Sequence, residues 1–377
     1  MTMSAVETIP VTTAAEKKAF LRLPQRLYAG DPNWVCPLRI ERRDFFDPKK
    51  NPFFDNADVQ LFLARRDGQW VGRITAHVYH NHNRTHNELT GFFGFFECEN
   101  DYAIAEALYR RAAAWLKERG MERMRGPANF TTNHEIAFLM EGFDVPPWVM
   151  MTYNPPFYLE FTERFGMTKA MDFFAYYIDK SVPIPDRIVR LIERIRTRSG
   201  ATLRTLNMSR FDDEVDLVKS IYDRAWAPNW GFVPMTDAEF YWMAKDLKQI
   251  VDPNMVFFAE VDGETAGFSL ALPDINQALI HLNGRLFPFG LAKLLWLTKV
   301  RKVMTRLRML VMGILPEYQK RGIDSLLHYE AYTKGVAAGY TAAEMSWILE
   351  TNDMMNGVAH NLGGKLYKKY RMYEVPL

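Results

Sequence analysis

The chain has 377 residues, 48% of them apolar and 24% charged, with a formal net charge of +2. That is ordinary globular composition, long enough for two or three domains, and too evenly charged for a general nucleic-acid binder. No run of about 18 apolar residues is present to span a bilayer, and the two cysteines, Cys36 and Cys98, exclude a disulfide framework or a cysteine zinc site and fit a reducing compartment.

In chain order, "MTMSAVETIPVTTAAEKK" lacks the apolar core of a secretory signal. Residues 62–72, "FLARRDGQWVG", read as strand, Asp-Gly turn, strand. "HVYHNHNRTH" then leaves the strand for a polar histidine-rich loop, with no cysteine nearby and no metal expected. "TGFFGFFECEN" is a strand leading into the helix "DYAIAEALYRRAAAWLKERG", with Glu97, Glu99 and Asp101 gathered at the junction. "NPPFYLEFTERFG" is a capped helix ending at glycine, followed by the aromatic strand "KAMDFFAYYI". The proline-containing "DKSVPIPDR" and the amphipathic helix "IVRLIERIRTRSG" form a connection.

The second half repeats the first. "FFAEVDGETAG" at 257–267 keeps the pattern F-x-A-x-x-D-G-x-x-x-G of residues 62–72, and "NDMMNGVAHNLGG" keeps the Asn and Gly of "NPPFYLEFTERFG" at twelve residues' separation. Around these lie the strand "TLRTLN", the helices "DDEVDLVKSIYDRAW" and "TDAEFYWMAKDLKQIV", the strand "RMLVMGIL", the helix "GIDSLLHYEAYTKGVAAG" and the strand "AAEMSWIL". The expectation is an α/β mixed sheet in two tandem copies: 1–180, a linker at 181–200, and 201–377 carrying an insert at 277–305.

Residues 311–327, "VMGILPEYQKRGIDSLL", place a basic glycine loop between a buried strand and a helix. Main-chain N–H groups and the helix dipole favour an anion there, with Lys320 and Arg321 adding charge. With the element order, this loop resembles the pyrophosphate loop Q/R-x-x-G-x-G/A of the GNAT superfamily of acyl-CoA-dependent N-acyltransferases. It reads here Gln319, Lys320, Arg321, Gly322, Ile323, Asp324, and Asp324 departs from the Gly or Ala of the pattern. The resemblance implies acyl-CoA as co-substrate, no permanently bound cofactor and no metal. It implies two parallel strands splayed after a bulge, with the acyl-CoA amides along Met312, Gly313 and Ile314 of the first. Asn352 heads the helix after the second strand. Glu350, at the end of that strand, is the first candidate for the base that takes the amine's proton, and Asp274 the second. Many relatives protonate the leaving thiolate with a tyrosine in the following helix; none lies between Asn352 and Gly364, and His360 is the nearest titratable residue. The carboxylates at 97, 99 and 101 would repel phosphate, so the first copy is expected not to bind CoA.

Between Ile275 and Pro316 there is no acidic residue, and "GRLFPFGLAKLLWLTKVRKVMTRLR" interleaves cations with aromatics. Such a segment suits an anionic membrane surface. "RAWAPNWGFVPMT" offers Trp226, Trp230 and Phe232 as an apolar acceptor wall or as core, and "LPDINQAL" offers Asn276 to orient an amine or to cap a loop. "WAPNWGFVP", "LPDINQAL", "NGRLFPFG" and "PEYQKRGID" are similar to a tandem GNAT subgroup that includes bacterial ceramide synthases. That resemblance implies transfer of a long-chain acyl group to a lipid amine such as a sphingoid base, in a cytoplasmic protein with peripheral contact at the inner membrane. The alternatives are N-acetylation of a polar small molecule or protein amine, and a non-catalytic acyl-CoA-binding scaffold.

Overall fold

A computed structural model describes residues 5–377; the opening four residues of the N-terminal segment read above lie outside the described residues. The first half runs β1 (Glu7–Pro10), α1 (Ala14–Leu27), α2 (Arg39–Phe45), β2 (Ala57–Arg66), β3 (Gln69–Tyr79), α3 (His80–His86), β4 (Thr90–Cys98), α4 (Tyr102–Lys117), β5 (Arg123–Gly126), β6 (Phe138–Glu141), α5 (Phe157–Arg164) and β7 (Thr168–Asp179). The second runs α6 (Asp186–Ser199), β8 (Thr202–Thr205), α7 (Phe211–Trp226), α8 (Asp237–Leu247), β9 (Val256–Val261), β10 (Glu264–Pro273), α9 (Asn276–Leu279), α10 (Gly290–Leu295), β11 (Arg306–Ile314), α11 (Ile323–Ala337), β12 (Ala342–Leu349), α12 (Asp353–Asn361) and β13 (Lys365–Pro376).

The chain forms two compact units, and they do not follow the sequence halves. The first takes the chain up to Asp172 together with Leu279–Leu291 and Lys369–Leu377; the second takes Phe173–Ala278 and Ala292–Lys368. Strand order in the first unit is β1-β2-β3-β4-β5-β13, with β6 also on β13; in the second it is β8-β9-β10-β11-β12-β7. The directions match step for step: three antiparallel pairings, one parallel (β4 with β5, β11 with β12), then a final antiparallel strand. The duplication read from two short motifs is therefore a duplication of topology. Each unit closes with the last strand of the other half of the sequence.

Both Asp-Gly hairpins form as the sequence predicts, with Asp67 and Asp262 at positive φ. The histidine segment differs from the expected loop: it is the seven-residue helix α3, in which His82 and His86 face each other four residues apart, rings 4.5 Å between centroids. Among the described residues no group of three or more His, Cys, Asp and Glu is placed to hold a metal.

Aromatic side chains fill the core of the first unit. Phe93, Phe96, Tyr109, Phe138 and Tyr158 pack between its sheet and α4 and α5. His77 is buried against Phe53, Phe92 and Phe130, donating from Nε2 to the Phe130 carbonyl at 2.7 Å. Burial lowers His77 to about 4, and likewise His134 of this unit and His328 of the second. The unfolded chain would protonate each near 6.5. Between about pH 6.5 and 4 the unfolded state therefore binds protons that the folded state refuses. Stability should be full above pH 6.5 and fall as pH drops, by about 1.4 kcal/mol per pH unit for each such histidine. Urea unfolding at a series of pH values checks this; a stability flat from pH 7 to 5 would contradict it.

Candidate active site

In the second unit the parallel rungs between β11 and β12 run from Arg306 with Ala342 to Met309 with Met345 and then stop. Each strand bulges at that point. Leu310 is an extra residue of β11 between the rungs to Leu270 and Ala271 of β10, and Ser346–Trp347 holds one extra residue of β12 against β7. Bulges bend strands and end pairing, so β11 and β12 part beyond Met309, the splay that the family pattern implies. Counted along the chain from the last rung, Glu350 lies five residues past Met345 and Ile314 five past Met309.

β11 leads through a single turn, Pro316–Tyr318, into α11. Lys320 and Gly322 are left-handed, at φ 61° and 81°. No side chain caps α11; its first turn closes from Leu326 N–H to the Gly322 carbonyl at 3.1 Å. The preceding N–H groups, of Ile323, Asp324 and Ser325, thus point out of the helix start. Lys320 and Arg321 are exposed beside it. Arg321 donates to the Glu317 carbonyl at 3.2 Å and lies over the Tyr318 ring; Gln319 donates through Nε2 to the Ile314 carbonyl at 3.1 Å. Gly322 has a second reason besides its φ: an added Cβ would stand 2.8 Å from Ile195 of α6. Gly313 is likewise a packing glycine. A Cβ there would meet Ala225 and Ile221 of α7 and Phe268 of β10 at 3.2–3.3 Å, so the residue lets α7 lie against β11 rather than opening room for a ligand.

The first unit has the same bulge and splay but fills them itself. β4 and β5 pair in parallel only from Thr90 to Phe92. Beyond, Ala128 N–H donates to the Phe93 carbonyl at 2.8 Å, Asn129 Oδ1 accepts from Phe95 N–H at 2.7 Å, and an added Cβ on Gly94 would overlap the Ala128 carbonyl. The helix start is taken too. Asp101 caps α4, accepting from Ala103 N–H at 2.9 Å, and pairs with Arg66 at 2.6 Å; that hydrogen bond to Arg66 holds its carboxyl below the usual range. Glu99 pairs with Arg26 at 2.7 Å. Glu97 is half-buried, accepts from Tyr28 and Tyr158, and sits 3.6 Å from Arg73, with desolvation raising its carboxyl.

The remaining sequence-predicted residues scatter. Asp274 is buried at 2% exposure, accepting from Asn276 N–H at 3.2 Å. Its own N–H donates to the Arg306 carbonyl at 2.9 Å, so it stands at the opposite end of β11 from Ile314. Eight residues of extended strand separate those ends, about 26 Å, so Asp274 and Glu350 are not brought together, and Asp274 accepts from the first N–H of α9. Asn352 caps α12 through Oδ1 to Met355 N–H at 3.1 Å. His360 is exposed on α12, its ring edge against Tyr176 at 5.0 Å, while Tyr176 donates to Asn356 Oδ1 at 3.0 Å. Trp226 donates from Nε1 to the Met312 carbonyl at 2.8 Å. Phe232 is core, packed on Tyr222. Trp230 stays half-buried against Phe173, which in turn touches Trp347.

Sequence reading missed four residues at the vertex of the splay. Arg308 and Glu344 are opposite each other in the parallel rungs, 2% and 0% exposed, with Nε and Oε1 3.8 Å apart. Ser346 Oγ donates to Glu344 Oε1 at 2.5 Å and accepts from Arg308 Nε at 2.9 Å. Tyr367 of β13 donates to Glu344 Oε2. The available signal was an arginine at the head of the apolar run "RMLVMGIL" and a lone anion inside the strand "AAEMSWIL".

These paired units have the tandem GNAT fold, and the chain belongs to the family of acyl-CoA-dependent N-acyltransferases that includes bacterial ceramide synthase. Among its relatives are the bacterial ceramide synthase of Caulobacter vibrioides, 43% identical over 100% of this chain and 99% of that one, and Protein YghO of Escherichia coli, 40% identical over 95% and 92%. No family model matches. The fold is shared with a tandem GNAT protein from the clavulanic acid biosynthesis pathway (TM-score 0.57, 12% identity, 98% of each chain). It is shared also with a GCN5-related N-acetyltransferase from Sphaerobacter thermophilus (TM-score 0.55, 12% identity, 98% of this chain and 95% of that one).

Proposed function

We propose that the protein transfers a long-chain fatty acyl group from CoA to the amine of a sphingoid-type lipid base, with acyl-CoA bound by the second unit alone. The pyrophosphate sits on the N–H groups of Ile323, Asp324 and Ser325, with Lys320 and Arg321 beside it, and the acyl-bearing arm runs into the splay. One observation supports this above others: the first unit fills its splay and caps its helix with its own chain, whereas α11 is left without a side-chain cap. The likeness to bacterial ceramide synthase over the whole chain supports the long-chain acyl group and the sphingoid acceptor. Mass spectrometry of lipids from cells lacking the gene tests the reading. Loss of N-acylated long-chain amines is expected; an unchanged lipid profile with loss of a polar N-acetyl product would favour the polar-amine alternative.

The insert supports lipid access. No helix among the described residues is long and apolar enough to cross a membrane. Yet Phe287 and Phe289 are 71% and 80% exposed, and Leu295, Trp296 and Val300 follow at 51%, 47% and 68%. Arg285, Lys293, Lys299, Arg301 and Lys302 lie among them. In each stretch such rings suit headgroups and such cations suit anionic lipid. The Leu279–Leu291 stretch is anchored in the first unit, where Arg39 N–H donates to the Gly284 carbonyl at 3.0 Å. Replacing Lys299, Arg301 and Lys302 by Gln should weaken binding to phosphatidylserine vesicles by about 1 kcal/mol per cation. Sedimentation with vesicles checks it; wild-type binding that ignores salt would count against the surface.

A further inference from the structure

We infer that Glu344 receives the acceptor's ammonium proton, passed to it through the hydroxyl of Tyr367. This rests on the acyltransferase reading above and names the proton's route within the same site.

The position argues for it. Glu344 lies one residue before the last parallel rung, and Ser346 is the first residue of β12 past it. Both therefore flank the point where the strands part and where the reacting thioester would meet the amine. Glu350 lies four residues farther along the chain than Ser346, just past the end of β12. A carboxylate with 0% exposure needs a conductor to reach substrate. Of the four network members only Tyr367 is half-buried; Arg308, Glu344 and Ser346 are all buried.

The network also fits a proton acceptor rather than a mere ion pair. Arg308 does not grip the carboxylate in a fork: its Nε bonds Ser346 Oγ at 2.9 Å, its Nη2 bonds the Ser346 carbonyl at 3.2 Å, and Nε lies 3.8 Å from Glu344 Oε1. Ser346 thus takes Oε1, and Oε2 is left to the tyrosine. Another group beside the carboxylate is Tyr177 of β7, opposite Glu344 in register and edge-on to Tyr367, whose ring lies 5.6 Å from the buried Lys368 Nζ. An aromatic path, Trp230 to Phe173 to Trp347, ends with Arg308 5.2 Å from the Trp347 ring, so an apolar acceptor guided along these rings would arrive at the network.

The chemistry balances. The ammonium gives one proton to the Tyr367 oxygen as the tyrosine's own proton moves to Glu344 Oε2. The neutral amine attacks the thioester carbonyl, the C–N bond forms, the C–S bond breaks, and the thiolate takes the second nitrogen proton. Glu344 then returns its proton to solvent by the same path.

The test uses Glu344→Gln and Tyr367→Phe in the full chain, assayed with palmitoyl-CoA and sphinganine over a range of pH. Both should lose roughly 10²–10³-fold in kcat with acyl-CoA affinity kept. The Glu344→Gln rate should climb with pH as free amine replaces ammonium, beyond the rise of the wild type. A purely structural role would lower kcat without steepening the pH profile. A second readout needs no acceptor. At a pH where Glu344 is protonated, its infrared band, identified by its absence from Glu344→Gln, should exchange into D2O quickly in the wild type and slowly in Tyr367→Phe. Equal exchange rates, or a Glu344→Gln variant of normal turnover beside an inactive Glu350→Gln, would overturn the assignment. A wild type that acylates no long-chain amine would instead sink the functional reading, while the exchange rates still decide the route.

Discussion

Arg308→Met should be among the most damaging single changes in the second unit, costing about 3–5 kcal/mol. The guanidinium is 2% exposed and the carboxylate beside it is 0% exposed. A buried pair is worth little compared with an apolar replacement, because both ions lost their water on folding. Removing one partner alone leaves the other charge desolvated and unmatched, and that term dominates. Methionine keeps the length and adapts its shape, so the loss is mainly electrostatic. Glu344→Gln should cost less, since the amide oxygen can still accept from Ser346 while its NH2 donates to the Tyr367 hydroxyl oxygen. The double change Arg308→Met with Glu344→Met should recover most of the loss, because no lone charge remains. Urea unfolding of the three variants checks this. A double variant as unstable as Arg308→Met would mean that packing around Trp347, not charge, sets the cost.

Ser325→Glu should weaken acyl-CoA binding by roughly 10- to 100-fold while leaving the fold as stable as before or more so. The third residue of a helix is a favourable place for a carboxylate, contributing about 0.3–1 kcal/mol through the dipole. The same carboxylate would stand in the proposed pyrophosphate seat. Like charges about 5 Å apart repel by about 1–3 kcal/mol at effective dielectric constants near 80 to 20. Stability and affinity therefore move in opposite directions, which a disruptive mutation does not produce. Gly322→Val is the poorer test, because its φ of 81° and the nearness of Ile195 would damage α11 whether or not phosphate binds there. Calorimetry with acyl-CoA on Ser325→Glu and on Ser325→Gln separates charge from size. Asp101→Ala, which uncaps α4 of the first unit, should not change acyl-CoA affinity, because the Ala128–Asn129 segment still fills that unit's splay. Unchanged affinity in Ser325→Glu would remove the phosphate seat from α11.

The elements were legible because they are local. The Asp-Gly turns, the helix ends at Gly200 and the buried strand "RMLVMGIL" each carry their signal within about ten residues. The order of strands in space was legible only through the family pattern, since a rung such as Arg308 with Glu344 joins residues far apart in sequence. Gly313 and Gly322 show the reverse difficulty. Glycine announces a close approach, but the sequence does not say whether a ligand or a helix approaches, and in both places a helix does. Asp274 looked catalytic because it is an acid at a hairpin end; its cap role follows from the Asn276 N–H, which sequence does not orient. The network at Arg308, Glu344, Ser346 and Tyr367 escaped because three of its members lie on strands read simply as apolar core.

The exchange of closing strands has a consequence for synthesis. The first unit is whole only when residues 369–377 join it, yet the main body of that unit ends at Asp172. At a ribosomal pace of about 5–20 residues per second, roughly 10–40 seconds pass between those two events. Through that interval the nascent first unit carries β5 without β13, an open edge able to pair with another chain. Polysomes, which hold several such nascent chains close together, would make the hazard greatest, and a chaperone able to cover a bare strand edge for that time would raise the yield of native protein.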